Sequence, residues 1–253
     1  MRVNNGTIAV GPLLAVVLVL LAGAGAVVVW LGKIGTWHAV LTASARAAIQ
    51  LTVVSLVITA VLRSGGLTVL FVAVMFGIAG LTSGRRLGRW THARWAGTAI
   101  GAGVAPVLAM LVGSGLVPVT PVAIVPIAGI LIGGAMTATT LAGRRALDEL
   151  RARRGEYEAA LALGLLPRDA ALLICRPSAG SALVPALDQT RTVGLVTLPG
   201  AFVGVLLGGA SPLQAGATQL VVLISLLVVE AVAVVVVVEL VARERIPVVY
   251  SSS

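Results

Sequence analysis

"LQAGATQLVVLISLLVVEAVAVVVVVELV", residues Leu213 to Val241, holds 29 positions with no basic residue and two acids, Glu230 and Glu239. A helix rises about 1.5 Å per residue, so about 20 apolar residues cross a hydrocarbon layer about 30 Å thick. This stretch exceeds that length, enough to tilt or to run on into the cytosol. The solvent of the fold is therefore lipid rather than water. Composition agrees: 58% of the 253 residues are hydrophobic and 11% are charged, with a mean hydropathy of +1.09, far from soluble usage.

Working back from that segment, the same length criterion gives six further spans. They are Ile8 to Leu31, Trp37 to Leu62, Leu67 to Thr82, Trp95 to Leu116, Val122 to Gly143 and Val193 to Gly209. The first is too long for the apolar region of a signal peptide and is kept as a span. The third and sixth are short, as thin, broken or strongly tilted helices would be. The expected fold class is all-α: a polytopic transmembrane helical bundle of about seven spans, one domain over residues 1–253. The longest polar region, Arg144 to Arg191, is too small to fold alone.

A formal charge of +9 would suit a nucleic-acid binder if the basic residues were spread among aromatics. Instead they cluster between apolar runs, and no nucleic-acid partner is expected. Arg85, Arg86, Arg89 and Arg94 form one cluster; Arg144, Arg145, Arg151, Arg153, Arg154, Arg168 and Arg176 form another; Arg243 and Arg245 follow the last span. The positive-inside rule makes these regions cytosolic, with the N-terminus outside and the C-terminus in the cytosol. Arg2 and Arg63 are exceptions. The single cysteine, Cys175, excludes an internal disulfide and a multi-cysteine metal knuckle.

Glycines recur at four-residue spacing in Gly80/Gly84/Gly88, Gly97/Gly101, Gly129/Gly133 and Gly200/Gly204/Gly208. That pattern lets helix backbones approach closely in lipid, and bundle packing is expected for all four sets.

Between the fifth and sixth spans lies "EYEAALALGLLPRDAALLICRP", Glu156 to Pro177. Good helix formers run to Leu163, Gly164 is a left-handed stop, and Pro167 with Asp169 suits the first turn of a second helix. A helix, a tight turn and a helix re-entering the membrane near Pro177 are expected. The spacing Glu158-Ala159-Ala160, three residues, Gly164, nine residues, Ile174, then Pro177 resembles the E-A-A-x3-G-x9-I-x-L-P loop of ABC transporter permeases, with Arg176 in place of the motif's leucine. The resemblance implies that residues about 144–177 form a cytosolic coupling loop seated in a separate ATP-hydrolysing subunit. The competing reading is an amphipathic connector with ordinary charge decoration.

Further stretches narrow the resemblance. "ARAAIQL" (Ala45 to Leu51), "EAALALG" (Glu158 to Gly164), "VGLVTLPG" (Val193 to Gly200) and "LGGASPLQA" (Leu207 to Ala215), followed by Gln219, resemble the FetB-like iron-export ABC permeases, which have plant relatives linked to aluminium tolerance. The resemblance implies a homodimer in the cell membrane, energised by a separate ATPase and exporting iron or another metal ion. This sequence departs from the family pattern where amides are expected, at Gly134 and Thr137. It departs again at Ala201, Val203 and Val205, where methionine, threonine and glutamine are usual. Apolar groups there put metal as the cargo in doubt.

Individual residues add to this. The only lysine, Lys33, precedes Ile34, so no P-loop is present. The chain is expected not to be an enzyme and to bind no cofactor, with ATP held on the partner subunit. Arg46 and Gln50, one turn apart in the second span, either face a translocation path or snorkel to the interface. Glu230, near the middle of the last span, either pairs with Arg46 or faces water. Met136, Thr137 and Gln219 complete the candidate path, although Met and Thr also serve helix packing. His38 and His92 lack ligand partners at helical spacing, so no resident metal site is expected. Two other functions stay open: a gradient-driven secondary transporter or channel, and an ABC permease for a non-metal cargo. A membrane scaffold without transport is a further reading.

Overall fold

The computed structural model describes residues 10–248; the expectations placed on Arg2, Ile8 and Ala9 lie outside them. Every regular element among the described residues is helical, and seven helical segments are long and apolar enough to cross a membrane. The chain divides into two compact units, the first ending at Val61. In the first, α1 (Pro12–Gly32) and α2 (Trp37–Val61) pack on each other.

The second unit holds α3 (Gly65–Arg86), α4 (Ala93–Gly113), α5 (Pro121–Ala152), α6 (Arg154–Ala162), α7 (Pro167–Ala179), α8 (Val184–Thr192), α9 (Gly200–Leu207) and α10 (Pro212–Ala242). Short 3-10 turns, Trp90–His92 and Gly180–Leu183, precede α4 and α8. Proline occupies the first turn of α5, α7, α8 and α10, where its missing N–H costs nothing. Ser211 and Gln214 add a capping box that fixes the start of α10.

α10 packs against α4, α5, α7 and α9. One buried cluster joins Ala135, Leu131, Ile100, Val107 and Val229. A second joins Leu147, Leu150, Ile174, Cys175, Val237 and Val241. In lipid such packing is held by close van der Waals contact rather than by removal from water. The approach of α4 to α10 is closest at Gly103, where a Cβ would lie 2.5 Å from the Val229 carbonyl oxygen. Of the four glycine sets, Gly80 and Gly84 do abut the backbone of Ala93 and Gly97, but Gly200 and Gly204 face open space. Packing within this chain therefore does not account for Gly200 and Gly204.

The arginine-bearing ends of the second unit's helices are cross-linked. Arg144 Nε donates to the Arg86 carbonyl at 2.9 Å, and Arg145 donates to Ser181 Oγ. Arg168 donates to both carboxylate oxygens of Glu239, at 2.5 and 2.9 Å, tying α7 to α10.

Two expected spans need correction. The third is not short, because α3 runs over 22 residues with Arg85 and Arg86 in its last turn. The sixth is not a helix over Val193–Gly209. Only the 8 residues of α9 are helical there, about 12 Å of rise. The segment long enough to cross is Pro167–Thr192 upstream. Gly194 at φ +80° and Pro199 in extended geometry break the helix between the two parts. The sixth crossing is thus assembled from α7, α8, a break and α9.

Candidate functional site

The segment made of α6 and the turn to α7 takes its shape from three local devices. At its entrance Arg153 leaves helical geometry (φ −108°, ψ 34°) and its guanidinium grips the Glu156 carboxylate, with Nε to Oε1 at 2.9 Å. That bond holds Glu156 below the usual carboxylate range and raises Arg153. One turn on, Arg154 Nε reaches Glu158 Oε1 at 2.7 Å. At the exit, Gly164 stands at φ +92°. Its N–H donates to Leu161 O at 2.9 Å, and Leu165 N–H donates to Ala160 O at 3.1 Å. This is a Schellman cap, and its left-handed residue favours glycine.

The six motif residues divide by exposure. Glu158, Ala159, Gly164 and Pro177 are exposed, whereas Ala160 and Ile174 are buried. Ile174 belongs to the cluster that seats α7 on α5 and α10, and Cys175 beside it donates to Ala146 O at 3.5 Å. The inward residues anchor the turn; the outward ones are free to meet a partner. Three leucines that the sequence reading passed over lie on this turn: Leu163 is 83% exposed, Leu166 67% and Leu165 37%. Their signal was available, since "LGLLP" places leucines on both sides of a glycine stop where no apolar span continues.

Path candidates are scattered. Arg46 and Gln50 are exposed on α2 in the first unit. On α5, Thr137 is exposed and bonds its own helix at Gly133 O, 3.0 Å. The Met136 carbonyl accepts from Ser83 Oγ at 3.2 Å and Thr140 Oγ1 at 2.8 Å, a packing role joining α3 to α5. Gln219 and Glu230 are both buried on α10, and eleven residues of helix set them on one face about 16 Å apart. Gln219 Oε1 has no hydrogen-bond partner. The structure brings Glu230 against Gly134, where a Cβ would sit 2.7 Å from Glu230 Oε1 and 2.3 Å from Leu226 Cδ1. Any larger residue at 134 would have to displace this carboxyl. No described residue hydrogen-bonds to it or pairs with it.

No group of three or more His, Cys, Asp or Glu suited to a metal ion occurs among the described residues. His92 is buried with Nδ1 3.2 Å from Leu87 O, and His38 stacks on Trp37. Ala201 and Val205 line a cavity of about 770 Å³ with Pro126, Ile130, Val221 and Val222, in which Thr218 brings a hydroxyl.

These features define a multi-pass α-helical membrane protein with an exposed helix–glycine–helix turn at its arginine-rich end. Residues 12–246 match the family described as "Uncharacterised protein family (UPF0014)", and the chain belongs to that family. It is 38% identical over 196 residues to the rice "UPF0014 membrane protein STAR2", covering 76% of this chain and 68% of that protein. Against the Arabidopsis "Protein ALUMINUM SENSITIVE 3" it is 37% identical over 181 residues, 70% of this chain and 66% of the relative. The Escherichia coli "Probable iron export permease protein FetB" is 35% identical over 128 residues, 51% of this chain and 49% of the relative. No solved structure matches.

Proposed function

We propose that this chain is the membrane-spanning permease subunit of an ABC transporter, assembled as a homodimer and driven by a separate ATP-hydrolysing subunit. The observation that carries the reading is the exposed turn. Glu158, Ala159, Leu163 and Leu166 stand outward around Gly164, while Ala160 is buried and Ile174 anchors the turn to α5 and α10. A rigid, partly apolar knob on a charged surface suits a cleft in a partner protein. Similarity to a protein named as a probable iron export permease supports export as the direction and iron or another metal ion as the first cargo to test. ATP would be bound and hydrolysed on the partner, and this chain would carry neither a catalytic residue nor a cofactor. The coupling loop would then face the cytosol, with the C-terminus on the same side, following the arginines.

Motion of the ATPase pair would push the knob, and α7 would pass that motion to α10 through Arg168 and Glu239. The apolar Ala201, Val203 and Val205 favour a cargo that needs no soft or amide ligand there, so an ABC permease for a non-metal cargo is the nearest alternative. A gradient-driven transporter is favoured by one observation, the buried and unpartnered Glu230.

Co-purification with the ATPases of the host tests the reading. The wild-type chain in mild detergent is expected to retain one ATPase per permease, and Glu158→Lys, Leu163→Asp and Gly164→Arg to lose it while still purifying as folded protein. Absence of any ATPase from the wild-type preparation would remove the ABC reading.

A further inference from the structure

The sixth crossing is polar at its centre as well as broken. α8 carries Asp188, Gln189, Thr190, Arg191 and Thr192 in succession. The Asp188 and Arg191 side chains are 61% and 72% exposed and 3.7 Å apart. Immediately after them the chain leaves helical geometry. Gly194 N–H donates to Thr197 O at 2.9 Å, and the N–H groups of Leu195 and Val196 fold back on Thr192 O at 3.2 and 2.9 Å. Beyond these bonds and an isolated parallel bridge that pairs Val193 with Thr197, the amide of Leu198 and the carbonyls of Gly194, Leu195 and Val196 have no backbone partner among the described residues. Residues 194–198 are all exposed.

Neighbours on α10 give the depth of this segment. Arg168, in the first turn of α7, pairs with Glu239, and α8 and α9 both pack on α10. Gly200 and Ala201, after the break, line one cavity with Val221 and Val222. Between Glu239 and Val222 the chain advances past about 25 Å of α10, so α8 and the break lie alongside the middle of a helix that itself spans the membrane. Lipid offers no hydrogen bonds, and irregular backbone at membrane depth survives only inside protein or beside water. Charged side chains at that depth obey the same restriction.

We infer that α8 and the break after it form the wall of a water-filled path, with Asp188, Gln189, Arg191 and Thr197 facing it, and that the path takes a charged or strongly polar solute. The half-helix end of α8 and the free carbonyls of the break provide fixed dipoles there, as discontinuous membrane helices do around polar cargo. None of these residues was a path candidate from sequence. The inference deepens the transport reading and rests on it for the solute, but not for the water.

Thiol accessibility tests it. In the full chain with Cys175→Ser, single substitutions Gln189→Cys and Thr197→Cys are compared with Val228→Cys and Val235→Cys on the exposed face of α10. Membrane vesicles of both orientations are treated with a charged, membrane-impermeant methanethiosulfonate. Modification at Gln189 and Thr197 is expected at least fivefold faster than at Val228 and Val235 from at least one side. Leu195→Cys, 89% exposed at the same break, replaces Thr197→Cys if that variant fails to insert. A ratio below fivefold at every break position overturns the inference. If the chain retains no ATPase and the break still reacts, the aqueous path stands and the ABC reading alone falls.

Discussion

α10 and the sixth crossing lie side by side and treat the bilayer in opposite ways. α10 is one helix of 31 residues that buries Val222, Val229, Val237 and Val241 and keeps every interior peptide bond paired along its axis. The sixth crossing covers comparable distance in pieces, with the short helices α7, α8 and α9, a non-helical break and exposed charges. A continuous apolar helix is the low-energy way to cross lipid. A broken polar one is tolerated where protein or water covers it. The contrast separates a scaffold element from an element suited to contact with cargo.

Substitutions in these helices and at the turn that would drive them differ in expected effect. The largest is Gly103→Val, which would drive a Cβ into the Val229 backbone and pry α4 from α10. Thermal unfolding in detergent is expected to show a loss of about 3 kcal/mol. Glu230→Leu removes a buried carboxyl that has no partner, and is expected to stabilise the chain by about 2 kcal/mol while abolishing transport. If stability instead falls with Glu230→Leu, the carboxyl has a stabilising partner. Gly164→Ala forces a Cβ into φ +92° and is expected to cost about 1 kcal/mol and to weaken ATPase retention. Gly204→Val, on the open face of α9, is expected to change stability by less than about 0.5 kcal/mol.

The smallest effect concerns Glu156. Its carboxylate is held below the ordinary range by Arg153, so the pair's contribution is present above the unfolded carboxylate value and fades as pH falls through the folded one. Carboxyl NMR is expected to find the Glu156 midpoint below that of an ordinary glutamate and to see Arg153→Gln move it upward, with only a slight loss of stability at neutral pH because solvent screens a pair whose side chains are 39% and 60% exposed.

Apolar length and arginine clusters were enough to read the membrane class and most of the helices from sequence. The α6–α7 turn was legible too, because Gly164 and Pro167 act locally. Apolarity misled at Val193–Gly209, where Gly194 and Pro199 outweigh the run of Leu and Val between them. The helix after Pro167 was expected, but not that Pro167–Thr192 is long and apolar enough to span, because Ala170, Ala171, Leu172, Ile174 and Cys175 face inward between arginines that point out or pair with Glu239. The packing of Glu230 against Gly134 could not be read at all, since it joins residues nearly a hundred positions apart on two helices. Exposure of Leu163 and Leu166 likewise depends on what the rest of the fold leaves uncovered.

The most direct test of the whole account joins its two halves. Thr197→Cys, in a Cys175→Ser chain reconstituted with the ATPase it retains, would be labelled by the impermeant reagent with and without ATP and vanadate. The account predicts that trapping the nucleotide changes the labelling rate at least fivefold, because motion at the α6–α7 turn reaches the broken crossing. An unchanged rate with the ATPase demonstrably bound would contradict it.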